Sequence, residues 1–183
     1  TRRLMTEFDR EICVSVNVSA RQLAHASFAG EVRQALKESG IAPHCLELEL
    51  TESALIADIE RTALMLRELH ELGVKLAVDD FGTGYSSLAY LRTFPIDVLK
   101  LDRSFVLQED ERISAFDFVK AFVDMAHALK LAVVAEGVET AEVVQFLQSA
   151  ACDEAQGYPF ARPLPLAALR ARLAGEAATA RAA

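Results

Sequence analysis

The stretch Ile12-Cys13-Val14-Ser15-Val16-Asn17-Val18-Ser19-Ala20-Arg21 reads as a strand, and the way it ends decides between two folds. An open doubly wound α/β sheet places a glycine-rich phosphate turn after its first strand. Here the strand runs out into Asn17-Val18-Ser19-Ala20-Arg21 with no glycine at all. Further on, Gly82-Thr83-Gly84 does not extend to GxGxxG, and no GK[ST] occurs anywhere. A (β/α)8 barrel makes a different demand. Its strand ends converge on one mouth, so functional side chains should stand at the ends of many different strands.

Outward from that run, short segments rich in Val, Ile and Leu alternate with longer segments of helical period. The strand-like runs are Ile12–Val18, Cys45–Leu50, Val74–Val78, Val98–Leu101 and Leu131–Ala135, with a weaker one near Ala155–Tyr158. Between them, Ala57–Leu72 carries an apolar stripe of Ile59, Ala63, Leu66 and Leu69, closed by Gly73. Ser114–Leu129 sets Phe118, Phe122, Met125 and Leu129 opposite Asp117, Lys120 and Asp124. Phe28, Val32, Ala35 and Leu36 repeat the pattern before Gly40, and Thr140 is placed to cap a helix running through Leu147. Strand–helix alternation of this kind means βαβ units and a parallel sheet. There is also an internal echo: Leu76-Ala77-Val78 leads into Asp79-Asp80, and Leu131-Ala132-Val133 leads into Glu136. The reading is one α/β domain over residues 1–174, followed by an Ala-rich tail over 175–183.

Composition narrows the function. The 183 residues are 52% hydrophobic and 25% charged, which excludes disorder. With 27 Asp+Glu against 19 Lys+Arg the net charge is −8, so the surface offers no general attraction to nucleic acid or anionic lipid. No apolar run approaches the roughly 20 residues that span a bilayer, and no signal peptide precedes the first strand, which points to a cytoplasmic domain. Cys13, Cys45 and Cys152 are isolated in sequence and odd in number, and read as small buried hydrophobes in a reducing compartment, not as a disulfide or zinc framework.

The residues at the strand ends are less ordinary. In chain order they are Asn17, Glu49 with Glu52, Asp79 with Asp80, Lys100 with Asp102, Glu136 with Glu139, and Gln156. If those ends share a mouth, several carboxylates crowd together, and a cation must compensate them. Oxygen donors with an amide and no sulfur suit Mg²⁺ or Mn²⁺. The histidines, His25, His44, His70 and His127, fall in helices or ahead of strands, which leaves zinc and imidazole acid–base chemistry without support. Adjacent Asp79 and Asp80 favour a pair of ions, about 3.5–4 Å apart, as used for in-line phosphoryl displacement. Lys100 is then the mouth's own cation, placed to orient a water or steady developing charge. Asp97 and Asp153, ahead of their strands, read as merely exposed.

In this order the motifs Asn17-Val18-Ser19, Glu49-Leu50-Thr51-Glu52-Ser53, Asp79-Asp80-Phe81-Gly82-Thr83-Gly84-Tyr85-Ser86-Ser87-Leu88, Lys100-Leu101-Asp102, Glu136-Gly137-Val138-Glu139 and Gln156-Gly157-Tyr158 resemble the EAL family of bacterial cyclic di-GMP phosphodiesterases. The match covers about Ile12 to Pro165. The resemblance implies a TIM-like (β/α)8 barrel with one antiparallel strand, and two Mg²⁺ or Mn²⁺ ions that hydrolyse cyclic di-GMP to linear pGpG. By motif, Asn17, Glu49 and Asp79 would hold the first metal, and Asp79 would bridge to a second that Asp80 and Glu136 complete. Lys100 would position the attacking water, and Glu52 would anchor the Phe81–Ser87 loop, which couples metal binding to dimerisation in such domains. Glu139 and Gln156 would line the substrate pocket. A homodimer is expected, with Ser114–Leu129 as the contact helix.

One departure matters. The Glu-Ala-Leu signature, with its metal-binding Glu and phosphate-binding Arg, should precede Asn17, and this sequence does not contain it. Six strands are counted against a barrel's eight. The expectation is a barrel lacking its first two strands, with Leu4–Phe8 finishing an earlier helix, and an impaired fragment of an active enzyme. Two other functions compete: a non-catalytic cyclic di-GMP-binding or protein-interaction module, and a glycoside hydrolase. Against the latter stand the excess of carboxylates over the two needed and the absence of Trp.

Overall fold

The computed structural model describes residues 1–56, 58–82, 91–107 and 115–182. Strands β1 (Val14–Val18), β2 (Leu46–Thr51), β3 (Lys75–Phe81), β4 (Val98–Leu101), β5 (Ala132–Val138) and β6 (Glu154–Gly157) form one sheet. Each strand lies parallel to the next in chain order. The order never reverses, so the switch point of a doubly wound sheet is missing. Right-handed crossovers then place the connecting helices on a single side of the sheet. That is the wall of a TIM-like barrel, a curled half-barrel with six of the eight strands that closure requires among the described residues.

The helices are α1 (Arg2–Phe8), α2 (Ala20–Leu23), α3 (Phe28–Ser39), α4 (Glu52–Ile56), α5 (Ile59–Glu71), α6 (Arg103–Leu107), α7 (Ala115–Ala128), α8 (Ala141–Ser149) and α9 (Leu166–Ala182). Their starts are written locally. Ser19 and Gln22 form a reciprocal capping box, and Asp58 and Thr140 accept from the backbone N–H groups of Arg61 and Val143. Gly40 ends α3 at φ 64°, a conformation glycine adopts without strain. Ala57 and Ser114, the expected first residues of two helices, lie outside the described residues. Salt bridges Arg170–Glu7 and Arg10–Glu176 tie α1 and the turn that follows it to α9. No helix among the described residues is long and apolar enough to cross a membrane.

Strand alternation sorts the side chains into two layers. Leu48, Leu50, Leu76, Val78, Leu99, Leu101, Val133 and Ala135 face the helices and pack with Val32, Leu66, Leu69, Val119, Val123 and Leu147 into one large core. The opposite face carries a second, smaller cluster of Ala77, Val98 and Val134, with Ala132 packed against it. That inner face is the one that continues into Asn17, Glu49, Asp79, Lys100 and Glu136.

Two departures from the sequence expectation carry structural meaning. Strands β3 and β5 run three residues past Val78 and Ala135, because the apolar pattern stops where charged residues begin while the ladder continues. Asp97 and Asp153 are part-exposed as expected, but each also clamps the neighbouring strand. Asp97 Oδ2 accepts from Leu76 N–H at 2.9 Å, and Asp153 Oδ2 accepts from Val133 N–H at 2.8 Å. Each faces a histidine from the helix that leads into the clamped strand, His70 of α5 at 3.8 Å and His127 of α7 at 2.8 Å. Of the cysteines only Cys45 is fully buried; Cys13 is exposed and Cys152 intermediate. Phe118, on the apolar stripe of its helix, stays 38% exposed although it stacks on Phe105 with centroids 5.0 Å apart, and Phe116 is 42% exposed.

Candidate active site

The site assembles around Lys100, on the inner face of β4. Its Nζ donates to Glu49 Oε1 of β2 at 2.6 Å, pairs with Glu136 Oε1 of β5, and lies 3.9 Å from Asp79 Oδ1 of β3. Carboxylates 30, 57 and 87 positions apart along the chain thus lie within reach of one cation. Lys100 is 5% exposed and Glu49 8%, unusual burial for such side chains. Asn17 is the register partner of Glu49 and shares its face on β1, while its own side is open.

Two β-bulges set the geometry. Between β3 and β4 the register passes from Val78↔Leu99 to Phe81↔Leu101, so Asp79 and Asp80 together oppose Lys100. Between β5 and β6 it passes from Ala135↔Ala155 to Val138↔Gly157, so Glu136 and Gly137 oppose Gln156. A bulge inserts one residue, bends the strand and re-aims a side chain. Both bulges contain a left-handed residue, Asp80 at φ 53° and Gly137 at φ 63°. The bulges sit at equivalent places: three residues after Leu76 comes Asp79, and three after Val133 comes Glu136. The β3–β4 and β5–β6 pairs are one unit built twice, with Lys100 in the first where Gln156 stands in the second.

The electrostatics are those of a mouth short of positive charge. Burial pushes the Asp79 carboxyl above the usual aspartate range, and Glu136, Asp80 and Glu49 push it further, against the pull of Lys100. For Lys100 burial acts downward, but its hydrogen bonds to Glu136 and Glu49 outweigh that and hold the ammonium protonated well above the ordinary lysine range. Asp80 N–H donates to Asp79 Oδ1 at 3.1 Å, which steadies the bulge. Four carboxylates against one ammonium, all oxygen donors with one amide nearby, form a donor set that fits hard divalent ions.

The structure also separates residues the sequence grouped. Asp102 does not join the mouth: its Oδ1 accepts from Ser104 N–H at 2.9 Å and caps α6, which holds its carboxyl below the usual range. Glu139 is at the rim, paired with Arg103 at 2.9 Å. Arg103 has no motif to announce it. The signal was Gly137, where a Cβ would lie 2.5 Å from the Arg103 Cβ, so glycine alone lets α6 pass this close. Glu52 opens α4 directly after β2. Most of the loop it is expected to anchor, from Thr83 onward, lies outside the described residues.

A singly wound parallel sheet whose inner strand ends gather carboxylates around one buried lysine defines an α/β barrel domain with an acidic, cation-seeking mouth. The sequence model of the EAL domain matches residues 1–163. The cyclic di-GMP phosphodiesterase NbdA of Pseudomonas aeruginosa is 52% identical over 156 residues, 85% of this chain and 20% of its own length. The solved PaMucR phosphodiesterase, a c-di-GMP complex, superposes with a TM-score of 0.83 at 39% identity, covering 92% of this chain and 75% of that one. BlrP1 of Klebsiella pneumoniae, a manganese/cyclic di-GMP complex, gives 0.77 at 32% identity over 88% of this chain and 42% of its own. This chain belongs to the EAL domain family. It spans about a fifth of the length of the curated relatives it matches.

Proposed function

We propose that the chain is the greater part of a cyclic di-GMP phosphodiesterase domain, which opens one phosphodiester of the cyclic dinucleotide to give linear pGpG. The observation that carries this reading is the convergence of Glu49, Asp79 and Glu136 on Lys100 across three strands. The phosphodiesterase names of similar chains and the c-di-GMP complex among similar structures support it.

Asn17, Glu49 and Asp79 would hold one Mg²⁺ or Mn²⁺, and Asp79, Asp80 and Glu136 a second. Bound there, such ions neutralise phosphate charge and lower the pKa of an attacking water. The chain's own residues do the rest. Glu49 and Glu136 engage two of the three Lys100 N–H donors, leaving the third for a water or a phosphoryl oxygen. A buried, preorganised ammonium stabilises charge that develops in the transition state without reorganising. Glu52 anchors the loop after β3. Glu139, held by Arg103, and Gln156, opposite the second bulge, line the substrate pocket. The working unit in this proposal is a cytoplasmic homodimer packed through α7, where Phe116 and Phe118 remain part-exposed.

The test is turnover of cyclic di-GMP to pGpG with Mn²⁺, using the domain with its preceding segment alongside the 183-residue chain. The expected result is activity that EDTA removes and that Asp79→Asn abolishes. Lys100→Ala should lower kcat by at least about a hundredfold with a smaller change in KM. Tight nucleotide binding with no turnover at either length would replace the enzyme with a binding module, and full activity in Asp79→Asn would end the bridging role.

A further inference from the structure

At the other end of the sheet, ahead of the first residues of β1 and β2, stands a second cluster with different chemistry. Val14 and Leu46 are the first register partners, and Cys13 and Cys45 each precede them by one residue, so parallel pairing brings together two thiols 32 positions apart. Glu11, His44 and Cys45 present ligand atoms that all lie within 4.8 Å of one another. Glu11 Oε2 is 3.0 Å from His44 Nε2, and the Cys45 thiol sits beside this pair. Cys45 is fully buried, while Glu11, Cys13 and His44 face solvent, which gives an ion a route in.

We infer that Glu11, Cys13, His44 and Cys45 form a site for one thiophilic divalent ion of the Zn²⁺ class, independent of the acidic mouth. Tetrahedral zinc takes sulfur at about 2.3 Å and nitrogen or oxygen at about 2.0–2.2 Å, which sets ligand atoms roughly 3.3–3.8 Å apart. Glu11, His44 and Cys45 lie within about 1.0–1.5 Å of that spacing, and Cys13, beside Cys45 in the β1–β2 register, would have to turn toward them to complete the set. The Glu11–His44 hydrogen bond is one a divalent ion displaces, and thiolate ligation releases the thiol protons to solvent. Donor softness separates the two sites: two sulfurs and an imidazole select zinc, whereas the mouth offers oxygen alone. Distance separates them too, because Cys45 precedes Glu49 by four residues, about 13 Å along an extended strand.

The probe is Co²⁺, added to the reduced, metal-free chain with excess Mg²⁺ occupying the oxygen donors of the mouth. One equivalent should produce a thiolate-to-cobalt charge-transfer band with intense tetrahedral ligand-field absorption, and one equivalent of Zn²⁺ should erase both. Cys13→Ser and His44→Ala should each weaken Co²⁺ binding by at least about tenfold. Both positions are exposed, so circular dichroism should match the parent chain; Glu11→Gln serves as a further exposed variant. A missing charge-transfer band, a band unchanged in Cys13→Ser and His44→Ala, or a chain isolated with Cys13 and Cys45 joined as a disulfide would each overturn the assignment.

Discussion

Replacing Lys100 with methionine keeps the stem and removes the ammonium that Glu49, Asp79 and Glu136 share. Breaking a buried ion pair by deleting one partner costs about 3–5 kcal/mol, because the remaining charge is left uncompensated. Here the side chains of Asp79 and Glu136 keep 17% and 24% exposure, which favours the lower end. At about 3 kcal/mol, and roughly 2–4 °C per kcal/mol for a chain of this size, Tm should fall by about 6–12 °C in EDTA near neutral pH. The sign of the pH dependence follows from Asp79, whose carboxyl already lies above its ordinary value despite the pull of Lys100. A raised folded-state pKa means the native state holds its proton more tightly than the unfolded chain, so the penalty is largest at neutral pH and shrinks on acidification. Without Lys100 that slope should steepen, and Mn²⁺ should return part of the lost Tm by supplying the missing charge. Thermal denaturation by circular dichroism, across pH and with EDTA or Mn²⁺, reads all three. A Lys100→Met chain melting within about 2 °C of the parent in EDTA, with no change in slope, would refute the description of the mouth as short of a cation.

The second bulge and the strand clamps yield two more expectations. A Cβ at Gly157 would overlap the backbone of Val138, so Gly157→Ala must displace β6 from β5; a loss of about 3 kcal/mol or more is expected in urea denaturation. For Asp153, burial raises the carboxyl, but His127 and the Val133 N–H outweigh it and hold it below the ordinary value. Stability from that group is present above the unfolded pKa near 3.9 and is lost as pH falls through the folded value. The gap between the parent chain and Asp153→Asn should therefore be flat at about pH 5 and close below about pH 4, measured as urea midpoints.

Much of this fold was written in local patterns. Strand–helix alternation, Gly40, the Thr140 cap and the glycine-free end of β1 each depend on near neighbours and were legible as such. Residues whose roles need a second strand were not. Asp97 and Asp153 look like loop charges until the N–H of Leu76 or Val133 arrives beside them. Cys13 and Cys45 look isolated until β1 pairs with β2. Asp102 looks like one more ligand until α6 starts on it. Arg103 depends on a glycine 34 residues later that lets the backbone approach.

The internal echo shows what a hydrophobic string carries and what it omits. Leu76-Ala77-Val78 and Leu131-Ala132-Val133 match as letters, yet the clamps and bulges align Leu76 with Val133, two residues further along. In that frame Asp79 corresponds to Glu136, Asp80 to Gly137, and Lys100 to Gln156. The carboxylate recurs because each bulge aims one side chain inward at the mouth, and that aim is set by backbone register. The left-handed residue beside it recurs because the bulge needs it, filled once by aspartate and once by glycine. The third position does not recur: the fold accepts an ammonium in one unit and an amide in the other. The repeated backbone thus supplies a place for charge, and the choice of Lys100 over its counterpart Gln156 puts the mouth's one buried ammonium, among the described residues, beside Glu49 rather than at β6.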